Sequence, residues 1–272
     1  MNLDVNFLKQ NGVDVDKSLE LFGDMEIYNE TFQDYLNGID EKKSNLAKFK
    51  NLANWADYAI FAHSIKSDAR YLGFTKVAEV CLNHEMAGKE QNQHFIETDY
   101  DHLLKTVDGM TDIVKRYLAG EKAGSDTKTL TQDSDMPKPA VSTPTINIPK
   151  ESVILIADDS PLIGNFASRI LEPTYKVVLT QDGKQTIDLI DANRYNVEAL
   201  LLDLNMPNVG GFEVLEYLKT KNIQVPTSII TGEDSKDMIN KAFTYNIVDM
   251  LVKPFSKDEL LRVVEKTKNY NL

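Results

Sequence analysis

The segment LLLDLNMPNVGGFEVL (200–215) joins an apolar run to an amphipathic stretch, and an aspartate, Asp203, stands where the apolar run ends. The apolar run predicts a buried strand and the following stretch predicts a helix. The same alternation recurs throughout the C-terminal half. Strands are predicted at 152–157, 175–180, 198–203, 225–230 and 247–252, and helices near 161–172, 184–192, 211–220, 235–244 and 256–268. Short apolar strands separated by helices predict a parallel sheet covered on both faces.

Polar side chains with phosphate and metal chemistry follow the predicted strands. They are Asp158, Asp159, Asp203, Thr231 and Lys253. Parallel sheets bind ligands at the carboxyl ends of their strands, so these side chains are expected to converge at one edge. Polar residues after strands can instead cap the helices that follow, and Ser160-Pro161 is a typical N-cap and first-turn pair. Capping accounts for one of the three aspartates but not for the convergence of all three. Three close carboxylates repel each other unless a hard cation such as Mg²⁺ lies between them, which predicts a magnesium site with Lys253 offsetting the remaining charge.

Four segments of this half resemble the receiver domain of response regulators over about residues 151–270. They are IADDSPL (156–162), LLLDLNMPNVGGFEVL (200–215), SIITGED (228–234) and MLVKPF (250–255). The resemblance implies an α/β flavodoxin-like (βα)5 fold with strand order 2-1-3-4-5. It also implies that Asp203 is the phosphoacceptor and that the peptide bond before Pro254 is cis. The implied Mg²⁺ ligands are Asp158, Asp159, Asp203 and the backbone carbonyl of Asn205, and the implied phosphate-stabilising residues are Thr231 and Lys253.

Two positions test this resemblance. The family usually has an aromatic residue three positions before the strand-five lysine, whereas this chain has Met250. Because Met is flexible and apolar, we expect the conformational response to phosphorylation to be weaker or to follow a different route to the output face. A haloacid dehalogenase-like phosphatase would also use an aspartate like Asp203, but it requires a second aspartate two residues later, where this chain has Asn205.

The N-terminal half has helical periodicity and predicts an all-helical bundle. Apolar residues recur at spacings of three and four near 17–38, 42–52, 55–72, 75–88 and 98–119. Four prolines then fall within MPKPAVSTPTINIPK (136–150), where a helix interior is excluded. The predicted organisation is multidomain, with a helical bundle at 1–120, a flexible linker at 121–150 and the receiver at 151–272.

One predicted helix carries His63 beside its apolar seam, so that the ring is expected at the surface. Lys66 and Ser67 lie one turn away and Arg70 two turns away. A solvated helix flank is the simplest interpretation of a lone histidine. A neutral imidazole can nevertheless attack phosphorus, Lys66 can stabilise the product phosphate, and the small Ser67 leaves room for another protein to approach.

The segment HSIKSDARYLG (63–73) resembles the signature of histidine-containing phosphotransfer (HPt) domains, which are four-helix bundles. His63, Lys66 and the Leu72–Gly73 pair match the family pattern, while Ser67 replaces its usual glycine. The resemblance implies that His63 carries phosphate and that Ser67, Arg70 and Gly73 belong to the surface on which a receiver docks.

Together the two resemblances predict phosphorelay signalling, with transfer between His63 and receiver aspartates that include Asp203 of the same chain. No GxxxxGK[ST] loop or kinase motif set occurs in the chain, so we expect no ATP-dependent kinase activity and phosphate supplied from elsewhere. The expected partners are a sensor histidine kinase and other receiver or HPt domains. The alternative is a non-catalytic adaptor whose receiver docks a partner.

Net charge and composition argue against several other classes of function. The net charge of −12 is shared by both halves, which argues against nucleic acid or an anionic membrane as the main partner. The chain has one cysteine, Cys81, and no zinc-ligand spacing. It lacks a signal-peptide pattern and an apolar window of membrane-spanning length, so we expect a cytoplasmic protein without membrane insertion.

Overall fold

The computed structural model describes residues 3–123, 151–232 and 236–270, so residues 124–150 of the predicted linker lie outside the described residues. Residues 3–123 are called the helical region and residues 151–270 the sheet region. Six helices form the helical region. They are α1 (Val5–Gln10), α2 (Val15–Phe22), α3 (Met25–Asn51), α4 (Trp55–Tyr71), α5 (Thr75–Lys89) and α6 (Gln93–Leu118). Of the helices that the structure describes, none is long and apolar enough to cross a membrane.

The four long helices pack in a closed ring, in which α3 and α5 each contact both α4 and α6. Their starts are set locally, because the side chains of Asp24, Asn54 and Asn92 each accept a backbone N–H of the first turn. The sequence predicts one helix at 17–38 and a second at 42–52, and the position of the break between them is wrong. The break falls at Gly23, whose φ of 84° is left-handed, and α3 then continues without interruption to Asn51.

The sheet region alternates strands and helices. Its elements are β1 (Glu151–Ala157), α7 (Pro161–Leu171), β2 (Val177–Thr180), α8 (Gly183–Asp191), β3 (Tyr195–Asp203), α9 (Gly211–Thr220), β4 (Thr227–Thr231), α10 (Lys236–Phe243), β5 (Met250–Val252) and α11 (Lys257–Lys268). All strand pairs are parallel and their order is β2-β1-β3-β4-β5, which confirms the predicted flavodoxin-like topology.

The two faces of the sheet bury different cores. Residues of α7 and α11 pack on one face, and residues of α8, α9 and α10 pack on the other. The core under α7 and α11 is continuous with the core of the helical region, so the two regions share one apolar cluster. The helical region therefore rests on the sheet region as a packed body.

Aromatic rings form the centre of this contact. The ring centroids of Phe22 and Phe166 are 4.8 Å apart, edge to face, and those of Tyr71 and Phe255 are 5.7 Å apart. The hydroxyl of Tyr71 also accepts the backbone N–H of Phe255 at 3.1 Å. Burial of four large rings makes the contact predominantly hydrophobic.

Ion pairs cross the same contact and offset the negative charge of both regions. Arg169 on α7 donates to Asp34 on α3 at 2.6 Å and to Glu30 at 2.7 Å. Nearer the strand ends, Ser160 donates across the contact to Asp68 at 2.7 Å. The other oxygen of Asp68 pairs with the buried amine of Lys42 at 2.6 Å within the helical region, and this amine lies 3.4 Å from the Ser160 hydroxyl. Local complementarity thus opposes the repulsion that the two net charges would produce.

The Asp68→Asn substitution is expected to separate the two regions. It leaves the buried amine of Lys42 without its carboxylate, and breaking a buried pair costs about 3 kcal/mol or more. Opening the contact returns Lys42 to water, so the ratio of docked to open molecules should fall by roughly 100-fold. Small-angle scattering should report a larger radius of gyration, while Asp40→Asn, at an exposed position of α3, should not change it. An unchanged radius in Asp68→Asn would contradict this prediction.

Candidate functional site

Three aspartates meet at the carboxyl edge of the sheet. Asp158 and Asp159 follow β1, and Asp203 is the last residue of β3. Each offers a carboxylate oxygen, and these oxygens lie within 4.8 Å of one another. Parallel neighbours β1 and β3 end at the same edge, so their terminal side chains converge. Three hard oxygen donors at this separation fit a divalent cation such as Mg²⁺.

Lys253 lies inside this acidic cluster. Its amine is 2.5 Å from Asp203 and 2.7 Å from Asp158, and all three side chains are buried. Burial by itself would lower the pKa of Lys253, but the charges of Asp158, Asp203 and Asp159 raise it above its ordinary value. The amine is therefore a permanent positive charge beside the Asp203 carboxylate.

The remaining predicted receiver residues surround the same edge. Thr231 is buried at the end of β4, and the backbone N–H of Asn205 donates to Asp203 at 3.0 Å. The peptide bond between Lys253 and Pro254 is cis, as expected. Met250 lies in β5 and packs against the core under α9 and α10, so its side chain fills the position of the usual aromatic residue without a hydroxyl.

Burial raises the pKa of the Asp158 carboxyl to about 6 and that of Asp159 to about 7, from an ordinary value of 3.8. Because the folded protein holds these protons to higher pH than the unfolded chain, its unfolding free energy should fall as pH rises from about 4 to about 7. In EDTA, Tm should therefore decline over this window, and Mg²⁺ added at pH 8 should raise it again. An Asp158→Asn/Asp159→Asn double variant should lose both effects. If the Tm of the wild type and that of the double variant changed with pH in the same way, Asp158 and Asp159 would not be the source of the pH dependence.

His63 is held by a buried carboxylate on the next helix. Nδ1 of His63 lies 2.9 Å from Glu85 on α5, and the same carboxylate lies 2.5 Å from the amine of Lys66 and 2.9 Å from that of Lys89. Burial opposes ionisation of Glu85, but its bond to His63 and the charge of Lys66 hold its pKa well below the ordinary range. An ionised carboxylate can only accept a hydrogen bond, so its contact with Nδ1 favours the tautomer that carries the proton on Nδ1 and the lone pair on Nε2.

The position of His63 differs from the sequence-based expectation of a surface ring. Only 3% of the residue is exposed, because the sheet region covers α4 at this point. Burial lowers the pKa of His63, which favours the neutral, nucleophilic ring at neutral pH. Among the described residues, Nε2 of His63 has no hydrogen-bond partner.

The ring of His63 faces the acidic cluster across the contact. It lies against Gly232, the residue that follows Thr231, and the charge of Asp203 acts on its pKa. A cavity of about 250 Å³ beside the ring is lined by His63, Glu85 and Lys89 from the helical region and by Asn205 from the sheet region. The sites predicted separately in the two halves are therefore brought together.

The other residues predicted to stabilise phosphate or to form the docking surface differ in how far they are buried. Lys66 and Ser67 are buried beside His63, and Ser67 also approaches Gly232. Arg70 is partly exposed at the last turn of α4. Gly73 ends that helix with a φ of 83°, and a Cβ there would lie 2.6 Å from the carbonyl oxygen of Asp14, so its glycine is required for packing within the helical region.

Three residues of the site were missed from the sequence. Glu85, Lys42 and Asp68 are single charged residues on helices, and no short motif distinguishes them. Glu85 is 22 positions from His63 and Lys42 is 26 positions from Asp68. Only the packing of α5 and α3 against α4 brings them to the site.

Comparison with known proteins identifies the sheet region. The family model for the response regulator receiver domain matches residues 154–265. The cell cycle transcriptional regulator CtrA of Caulobacter vibrioides is 32% identical over 122 residues, which are 43% of this chain and 52% of that protein. The cell cycle response regulator CtrA of Brucella ovis is 32% identical over 109 residues, covering 40% of this chain and 46% of that protein. The chain thus spans about half the length of these curated relatives.

Solved receiver structures resemble the same part of the chain. The receiver domain of the Francisella response regulator 1452 is 31% identical and covers 44% of this chain and 98% of that chain, with a TM-score of 0.39. The Vibrio cholerae chemotaxis response regulator CheY4 is 26% identical and covers 44% of this chain and 99% of that chain, with a TM-score of 0.39. By the family match, residues 154–265 form a response regulator receiver domain.

Proposed function

We propose that the protein is a phosphorelay component in which His63 and Asp203 exchange a phosphoryl group within one chain. In this proposal the helical region acts as an HPt domain for the receiver against which it packs. The observation that carries the proposal is Nε2 of His63, which has no hydrogen-bond partner among the described residues and is buried at the contact beside Gly232, next to the acidic cluster. A histidine that only filled space there would leave a polar nitrogen unsatisfied at a cost.

The transfer needs one bond to form as another breaks. In the direction from histidine, the Nε2–P bond breaks, its electron pair returns to Nε2, and an oxygen of Asp203 bonds to phosphorus. In the opposite direction the lone pair of Nε2 attacks phosphorus and Asp203 leaves as a carboxylate. The Nδ1 proton remains on the ring in both directions, and Glu85 balances the positive charge that the phosphorylated ring carries.

The receiver residues stabilise the charge on the transferring group. Lys253 pairs with Asp203, and Thr231 at the end of β4 supplies a hydroxyl at the same edge. Mg²⁺ held by Asp158, Asp159 and Asp203, with the carbonyl of Asn205, would neutralise phosphoryl oxygens when bound. Phosphate would reach this pair from a sensor histidine kinase or from another receiver or HPt domain.

The proposal is tested by following phosphate between the two sites. The protein is incubated with Mg²⁺ and a small acyl phosphate, and its forms are separated on a phosphate-affinity gel. Acid-labile, alkali-stable label identifies phosphohistidine. We expect both kinds of label in the wild type and in His102→Gln, an exposed histidine, and only acyl phosphate in His63→Gln. Label that never reaches His63 would overturn the relay and favour an adaptor.

Mixing two inactive variants tests whether the transfer stays within one chain. His63→Gln can load only its aspartate, and Asp203→Asn can offer only its histidine. Because the docked contact covers His63, we expect little phosphohistidine from the mixture and a wild-type transfer rate that does not depend on protein concentration. A rate proportional to concentration would show that the exchange occurs between chains.

A further inference from the structure

A lysine of the helical region lies beside the loop that carries two of the three clustered aspartates. The amine of Lys42 on α3 is 3.4 Å from the hydroxyl of Ser160, the residue that directly follows Asp159. One turn before Lys42, a Cβ at Gly38 would meet the ring of Pro161 at 3.7 Å, so α3 packs at ordinary distance on the start of α7. Helix α3 thus holds a buried cation against the loop between β1 and α7, which belongs to the other region.

Hydrogen bonds fix this arrangement on both sides of the contact. The Ser160 hydroxyl donates to one oxygen of Asp68 at 2.7 Å, and the amine of Lys42 pairs with the other oxygen at 2.6 Å. The backbone N–H of Ser160 donates in turn to Asp158 at 3.0 Å. Lys42, Asp68 and Ser160 are each at most 5% exposed. This series of contacts is therefore shielded from water, and charges along it interact more strongly than charges on the surface do.

The charge of Lys42 acts on a carboxylate that a metal ion would use. Burial and the charge of Asp158 raise the pKa of Asp159, and Lys42 opposes them more strongly than Lys253 does. The pairing of Lys42 with Asp68 therefore leaves a positive effect at Asp159. A divalent cation held by the clustered aspartates would act on the same carboxylate, and two positive charges in one partly buried site repel each other. Docking of the helical region and binding of Mg²⁺ thus compete for the same negative charge.

We propose that Lys42 weakens Mg²⁺ binding at the acidic cluster while the helical region is docked, and that bound Mg²⁺ in return favours separation of the two regions. This inference rests on the magnesium site of the function proposed above, but not on phosphoryl transfer. The two effects are reciprocal, because the factor by which docking lowers the Mg²⁺ affinity is the factor by which Mg²⁺ lowers the docking equilibrium. Metal binding would then control how often His63, which is 3% exposed in the docked protein, becomes accessible to another protein.

The first test measures the affinity of the full chain for Mg²⁺ by titration calorimetry at pH 8. The Lys42→Gln/Asp68→Asn double variant replaces the buried ion pair with two neutral amides that can still hydrogen-bond to each other. Removing the charge of Lys42 acts whether the regions stay docked or separate, so we expect roughly tenfold tighter binding in the double variant. Lys43→Gln is the matched control, because the amine of Lys43 pairs with Asp108 inside the helical region. It should bind Mg²⁺ like the wild type.

The outcomes of this titration separate the inference from the site on which it rests. Equal Mg²⁺ affinities in the wild type and the double variant would overturn the inference while leaving the magnesium site in place. If neither protein binds Mg²⁺, the magnesium site fails and the inference fails with it. Binding by the double variant alone would show that Lys42 excludes the metal from the docked protein. In each case the labelling of His63 decides separately whether phosphoryl transfer occurs.

Amide hydrogen exchange tests the reciprocal effect. The backbone N–H of Phe255 donates to the hydroxyl of Tyr71 across the contact, so it exchanges with solvent when the regions separate. Saturating Mg²⁺ should raise its exchange rate in the wild type by the same factor of roughly ten, and should not raise it in Lys42→Gln/Asp68→Asn. Amides of β3, which pair within the sheet in both arrangements, should not exchange faster in either protein. Exchange of the Phe255 N–H that is unchanged or slower with Mg²⁺ in the wild type would overturn the inference.

Discussion

Asp203→Asn is expected to abolish phosphoryl incorporation into the protein, with a loss of roughly 1,000-fold or more in the rate of labelling from an acyl phosphate. The substitution keeps the size of the side chain but removes the nucleophilic oxygen. It also removes one of the two carboxylates beside Lys253, whose amine remains paired with Asp158 at 2.7 Å. Because that second pair persists, the fold should survive, and the circular dichroism spectrum should match the wild type.

The matched control for this prediction is Asp237→Asn, at an exposed position in the first turn of α10. It should label like the wild type. If Asp203→Asn still accumulates phosphohistidine from the small donor, phosphate enters directly at His63 and Asp203 is not the entry point. Label of acyl-phosphate stability in Asp203→Asn would place the phosphoacceptor on another carboxylate of the cluster.

Glu85→Gln is expected to slow transfer between the two sites by on the order of 100-fold while leaving loading of Asp203 intact. The carboxylate holds the Nδ1 proton and so keeps the lone pair on Nε2; loss of such an orienting carboxylate can cost up to about 10⁴-fold in catalysis by histidine. A neutral amide also fails to balance the phosphorylated ring, and it removes the negative charge that the amines of Lys66 and Lys89 share.

Titration of the histidine separates this positioning role from a loss of folding. The charge of Glu85 raises the pKa of His63 against the effect of burial, so Glu85→Gln should lower that pKa further. Glu79→Gln, at an exposed position of the same helix, should change neither the transfer rate nor the titration. A Glu85→Gln protein with normal transfer and a shifted pKa would show that the tautomer of His63 does not limit the reaction.

The receiver half was predictable from the chain because its information is local. An apolar run followed by an acid indicates a strand and its end, and parallel strands place their ends at one edge. The sequence therefore predicts that Asp158, Asp159 and Asp203 converge, and the structure brings their oxygens within 4.8 Å of one another. The strand order and the cis bond before Pro254 followed from the family resemblance and were also confirmed.

The helical region was less predictable, for two physical reasons. Helical periodicity marks which face of a segment is apolar but not where a long helix is interrupted, so α2 and α3 were divided wrongly around Gly23. Burial of His63 could not be inferred either, because its own helix leaves the ring at the edge of the apolar seam. The ring is covered by Gly232, which lies 169 positions later in the chain. No local sequence pattern encodes the contact between these two residues.

The sequence by itself determined the order of the elements, the convergence of the acidic cluster and the spacing of His63 and Lys66 on one helix turn. Each of these depends on backbone periodicity or on strand direction, which neighbouring residues set. The tertiary structure alone decided that Glu85 holds the ring of His63, that Lys42 and Asp68 are buried as a pair, and that a glycine faces the histidine. These depend on side chains from distant segments packing at van der Waals distance, and the chain carries no local signal for that.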